Sequence, residues 1–151
     1  MSSIKIYTGV MFDPVHPESE LIDILDIAHA LSMLCRANGH FRSFYSVGQH
    51  CINCAREAKA RGYSERVQLA CLLHDASEAY LSDVTRPVKQ ELPKYLEIEK
   101  HLQEAIWRKY LEEELTEEEP EMKSEPEFEF RGFEETEERF LRMFREKSEA
   151  C

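Results

Sequence analysis

Val67-Gln68-Leu69-Ala70-Cys71-Leu72-Leu73-His74-Asp75-Ala76-Ser77-Glu78 decides the fold. Val67, Leu69, Ala70, Cys71, Leu72 and Leu73 are apolar nearly all round a helical projection, which marks a central, buried helix rather than a surface one. Ser64 is its expected N-cap, and Val67 stands where a capping box would need Glu or Gln, so the reciprocal bond is missing. The spacing predicts a helix over about 64–79. His74, Asp75 and Glu78 then place three ionisable groups within five residues at its end. His74 and Glu78, four apart, share one face, with Asp75 about 100° round from His74. A buried helix tolerates such groups only where they are paired or metal-bound. The alternative is that His74 and Asp75 cap the helix end and face water.

The preceding helix is expected over about 46–60, capped by Ser46, with Val47, His50, Cys51, Cys54 and Ala58 on its inner face. Antiparallel packing of the two helices would bring His50 beside His74. Two imidazoles and a carboxylate form a mixed nitrogen–oxygen site that suits Mn²⁺, Co²⁺, Fe²⁺, Ni²⁺ or Zn²⁺ better than Ca²⁺. Cys51-x-x-Cys54 invites a zinc–thiolate reading. The pair lies inside a helix on its packed face and has no second pair to complement it, so core thiols are the expectation.

Working outward, Asp26–Asn38 reads as a helix with Ile27, Ala30, Leu31 and Leu34 inside, Asp26 as N-cap and Asn38-Gly39 as stop. A polar loop, His40–Tyr45, follows. Ile4–Thr8 alternates as a short strand that turns at Gly9, and Phe12–Pro17 is a loop broken by two prolines. Residues 81–93, with Pro87 and Pro93, are expected as loop, 94–114 as helix and 133–148 as a final amphipathic helix carrying Phe133, Phe140, Leu141 and Phe144. Trp107 and the aromatic residues of 128–144 read as packing residues. No internal repeat is present.

The length fits one domain, 1–151, and few Gly and Pro favour helices. No run of eighteen apolar residues marks a membrane span, and the N-terminus lacks a signal-peptide core, so a cytoplasmic protein with reduced thiols is expected. The net charge of −11 is uneven: residues 112–138 hold fourteen Glu against Lys123 and Arg131, a net −12, which leaves +1 for the remainder. Residues 112–132 are therefore expected to be a flexible acidic insert. No basic stripe points to a polynucleotide partner.

Leu72-Leu73-His74-Asp75-Ala76-Ser77-Glu78-Ala79-Tyr80-Leu81-Ser82-Asp83-Val84-Thr85-Arg86-Pro87-Val88-Lys89 resembles the signature of HD-domain phosphohydrolases, in particular the bacterial 5′-deoxynucleotidase branch and small phage and bacterial HD hydrolases. Phe44-Tyr45-Ser46-Val47-Gly48-Gln49-His50 is similar to the stretch that supplies that family's first histidine, and the run from Asp26 to His40 to the segment before it. The resemblance covers roughly residues 4–110. It implies an all-α HD-type helical bundle with a minor N-terminal β element and a divalent metal ion (Mn, Co, Fe, Ni, Zn or Mg) held by His50, His74 and Asp75. Glu78 would then move protons at the reacting phosphate, assisted by Asp83. Arg36 stands where the family places a phosphate-binding arginine, with a surface arginine as the alternative. Lys89 and Arg86 are further phosphate candidates or solvated loop residues, and His29 and His40 either line the pocket or pack elsewhere.

The family completes its metal shell with a distal Asp on a late helix. No Asp follows Asp83 here. Glu137, in Glu135-Thr136-Glu137-Glu138-Arg139-Phe140-Leu141, is the local match, either as a replacement ligand or as one of many surface glutamates. The implied substrate is a small nucleotide, first a 5′-deoxynucleoside monophosphate. The alternatives are a triphosphohydrolase of deoxynucleoside triphosphates and a catalytically inactive protein that binds a nucleotide or a partner. Family members often dimerise, so a homodimer is the matching expectation.

Overall fold

Two serine caps start the central pair of helices where the sequence places them. The Ser46 hydroxyl accepts the Gln49 amide at 3.0 Å and opens α2, Val47–Ala60. The Ser64 hydroxyl accepts the Val67 amide at 3.2 Å and opens α3, Glu65–Leu73. These details come from a computed structural model that describes residues 3–111 and 131–150. Gly62, at φ +79°, makes the left-handed turn between the two helices. Ile52, Ala55 and Ala58 of α2 and Leu69, Leu72 and Leu73 of α3 are fully buried together.

The fold is all-α with a short N-terminal hairpin. In the hairpin β1, Ile4–Lys5, pairs antiparallel with β2, Met11–Phe12, so the predicted strand over 4–8 is shorter than expected and turns before Gly9. Helix α1 spans Ile24–Met33. Its N-cap is Asp23, whose carboxylate accepts the Leu25 amide at 2.9 Å, not Asp26 as expected. Asp26 lies inside the helix, 2 % exposed, and accepts the Thr8 amide at 2.8 Å and the Thr8 hydroxyl at 3.0 Å. A buried carboxylate needs such donors, and here they tie the hairpin to α1.

α1 also ends before Asn38. The chain extends at Leu34 and Cys35, pairs with Tyr45 to Val47 (Val47 N to Leu34 O 2.9 Å, Arg36 N to Tyr45 O 2.8 Å), and makes a tight turn over Arg36–Gly39 with Ala37 and Asn38 at positive φ. Gly48 allows α1 and α2 to approach: a Cβ there would stand 3.1 Å from the Ser32 amide and hydroxyl. The later chain forms α4 (Glu78–Leu81), α5 (Arg86–Lys89) inside the expected loop, α6 (Pro93–Leu111) and α7 (Phe133–Ala150). Helix α7 packs on α1, α2 and α3, burying Phe140 and Lys147. The Lys147 ammonium donates to Gln68 at 2.6 Å and Glu65 at 3.3 Å, which satisfies a buried charge and fastens α7 to α3. No helix among the described residues is long and apolar enough to cross a membrane. The acidic insert expected at 112–132 falls outside the described residues except for Arg131 and Gly132.

Candidate metal centre

The predicted continuous helix over 64–79 breaks at its chemically loaded end. α3 stops at Leu73, residues 74–77 form tight turns (Ala76 N to Leu73 O 3.0 Å, Glu78 N to Asp75 O 3.0 Å), and α4 begins at Glu78. Gln103 of α6 holds the break open. Its side-chain amide donates to Leu73 O at 2.7 Å and its oxygen accepts the Ser77 amide at 3.0 Å. One buried side chain thus satisfies two backbone groups that the interrupted helix leaves over.

His74 and Asp75 in this turn face His50 of α2 across a cleft of about 640 Å³. The Asp75 carboxylate oxygen Oδ2 lies 3.1 Å from His74 Nε2 and 3.6 Å from His50 Nε2, and the two imidazoles meet edge to face with centroids 5.3 Å apart. His74 Nδ1 lies 2.6 Å from Cys71 O and donates to it, which fixes the ring so that Nε2 faces and donates to the Asp75 carboxylate. Burial pulls the His74 pKa down, but the Asp75 charge and hydrogen bond outweigh it and leave the imidazole well above its usual value. Burial raises Asp75, and the His74 charge and hydrogen bond, then His50 and Arg36, pull it down to about 2. For His50, burial and then the positive charges of Arg36 and His74 lower the pKa to about 3, so its ring is neutral and available as a ligand.

Glu78 is 4 % exposed, and its Oε2 has no hydrogen-bond partner. Burial, and then the Asp75 and Asp83 carboxylates, push its pKa up to about 9, which keeps it protonated near neutral pH. Asp83 accepts the Ala37 amide at 3.4 Å, bracing the left-handed turn that carries Arg36. Arg36, Arg86 and Lys89 line the same cleft, and Lys89 is also paired with Glu99 at 3.0 Å.

Glu137 takes a place that neither expectation described. Half-buried on α7, it pairs with His29 Nδ1 at 3.3 Å across the α1–α7 contact and is not among the described residues lining the cleft. His29 in turn stacks on Tyr7, with ring centroids 3.8 Å apart, outside the cleft. His40 is exposed. Cys54, weighed with Cys51 as a zinc–thiolate pair and expected to be a core thiol, also stands at the cleft. Its sulfur lies 3.7 Å from His50 Nε2, and His50, Cys54 and His74 offer ligand atoms all within 4.8 Å of one another. Cys51, His74 and Asp75 form a second such set. These His, Cys and Asp groups could hold a metal ion.

No family model matches the chain. It is 37 % identical over 112 residues to the uncharacterized protein YfdR of Escherichia coli strain K12, which covers 73 % of this chain and 59 % of that one. It is 38 % identical over 108 residues to an uncharacterized protein of Rhodobacter capsulatus, covering 68 % of this chain and 55 % of the relative. The chain therefore matches less than two thirds of the length of either relative.

Proposed function

We propose that the protein is a metal-dependent phosphohydrolase of the HD type that acts on a small nucleotide, with a 5′-deoxynucleoside monophosphate as first substrate. The observation that carries this reading is the meeting of His50, His74 and Asp75 with the buried carboxyl of Glu78 on one cleft that also presents Arg36, Arg86 and Lys89. The cleft volume of about 640 Å³ suits a small ligand.

The donor set fits a divalent ion: two imidazoles, one with its second nitrogen bonded to a backbone carbonyl, and a carboxylate between them. When bound, such an ion supplies Lewis acidity towards a phosphoryl oxygen and acidifies water. The chain's own residues do the rest. The planar guanidinium of Arg36 orients the phosphate through paired hydrogen bonds. Asp83 positions the turn that carries Arg36. Glu78, protonated near neutral pH, gives its proton to the leaving alkoxide.

The test is phosphate release from a panel of deoxynucleoside mono- and triphosphates in the presence of Mn²⁺ or Co²⁺. Orthophosphate from the monophosphates is expected; tripolyphosphate would indicate the triphosphohydrolase instead. Glu78→Ala should retain metal and lose about 10²–10⁴-fold in kcat, the usual worth of a general acid. Full activity in that variant would overturn the mechanism. A second reading, a nucleotide-binding protein without turnover, is favoured by the engagement of Glu137 with His29 away from the cleft. Stoichiometric nucleotide binding with no release from any substrate would establish it.

A further inference from the structure

We propose that Cys54 is a metal ligand, joining His50, His74 and Asp75 around one ion, so that this centre takes zinc or cobalt(II) ahead of magnesium. The inference rests on the metal centre proposed above and goes beyond it by assigning a thiolate to the place for which Glu137 was the sequence candidate.

Three observations carry it. First, the spacing is that of a helical chelate. His50 and Cys54 are four apart on α2 and therefore lie on one face, the arrangement by which two ligands on one helix grip a zinc ion. Second, the donors are gathered near one point: Cys54, His50 and His74 offer ligand atoms all within 4.8 Å of one another, and Asp75 lies against both imidazoles. Ligands bonded at about 2.0–2.3 Å in a tetrahedral zinc site stand roughly 3.3–3.6 Å from one another. Cys54 Sγ is 3.7 Å from His50 Nε2, the same nitrogen that lies 3.6 Å from Asp75 Oδ2, and Asp75 Oδ2 is 3.1 Å from His74 Nε2. Third, Cys54 lines the cleft together with these residues, whereas Cys51, in the second cluster, is fully buried and does not.

A sulfur in the set changes the metal. Thiolate is a soft ligand that favours zinc and disfavours the hard, oxygen-seeking magnesium and calcium ions. Coordination releases the thiol proton to solvent, so uptake of one ion liberates it.

The experiment is titration of the metal-free full chain with Co²⁺, followed by absorption spectroscopy. Wild type should bind one equivalent and develop a near-ultraviolet sulfur-to-cobalt charge-transfer band. Cys54→Ser should lose that band while still taking up cobalt, and Cys51→Ala should keep it. Zinc-edge X-ray absorption of the wild-type protein needs no variant and should show one sulfur neighbour at about 2.3 Å. Cobalt bound without the charge-transfer band, or a band that persists in Cys54→Ser, would overturn the thiolate ligand and leave the metal centre standing. Failure of wild type to retain cobalt or zinc at all would remove the metal centre itself, and this inference with it.

Discussion

Glu78 is the residue on which chemistry and stability pull against each other. Its folded pKa, about 9 against an ordinary 4.5, reflects burial first and the Asp75 and Asp83 charges second. The folded state therefore holds this proton more tightly than the unfolded chain does. That contribution is complete below about pH 4.5 and is lost as the pH climbs towards 9. In the metal-free protein, Glu78→Gln should consequently be more stable than wild type at pH 8, by on the order of 5 kcal/mol, with the difference vanishing near pH 4–5. Calorimetric unfolding of both proteins across that range measures it, and equal stability at pH 8 would refute the shift. At this scale the sequence carried the ionisable trio and its partner well, because His50, His74 and Asp75 stand at the inner faces or ends of apolar helices where charge is costly. Cys54 was equally visible by its spacing from His50, but a cysteine on a packed face reads first as a core residue. The engagement of Glu137 with His29 joins residues 108 apart in the chain and left no local trace.

The elements whose limits were legible are those with local caps. Ser46 and Ser64 start α2 and α3 where expected, since one hydroxyl and one amide three residues on fix each start. α1 was shifted because Asp23 and Asp26 are both plausible caps by composition, and only the position of Thr8 decides that Asp26 turns inward. The break after Leu73 was hidden for a similar reason. His74 and Glu78 keep a helical spacing, while the group that stabilises the break, Gln103, lies 26 residues beyond the Ser77 amide it serves. Replacing Gln103 by Leu strands a buried amide and a buried carbonyl, at a cost of about 1–3 kcal/mol for each unpaired group. The variant should lose roughly 2–6 kcal/mol in denaturant unfolding. Amide exchange at Ser77 should rise more than exchange at the Gln49 amide, which sits in a separate cap. A variant with wild-type stability and unchanged exchange at Ser77 would show that the turn around His74 and Asp75 holds without α6.

Across the molecule, the candidate centre sits on the seam between α2 and the turn after α3. α2 supplies His50 and Cys54, and the turn after α3 supplies His74 and Asp75. Helix α7 then packs over α1, α2 and α3 and is pinned to α3 through Lys147. An ion held across that seam binds the folded chain and has no preformed site in the unfolded one, so its binding energy becomes folding energy. At a free metal concentration of a hundred times Kd the gain is about 2.7 kcal/mol. For a domain of this length each kcal/mol moves Tm by about 2–4 °C, so zinc should raise Tm by roughly 5–10 °C. A chelator should reverse the rise. His74→Ala should remove it, because that change takes away a ligand without touching the α2–α3 apolar contact. Magnesium at the same concentration should produce a smaller rise, since a mixed imidazole and sulfur set discriminates against it. A Tm unmoved by zinc in the wild-type protein would mean that Asp75 merely bridges two histidines, and that the cluster is an ion-pair network rather than a metal centre.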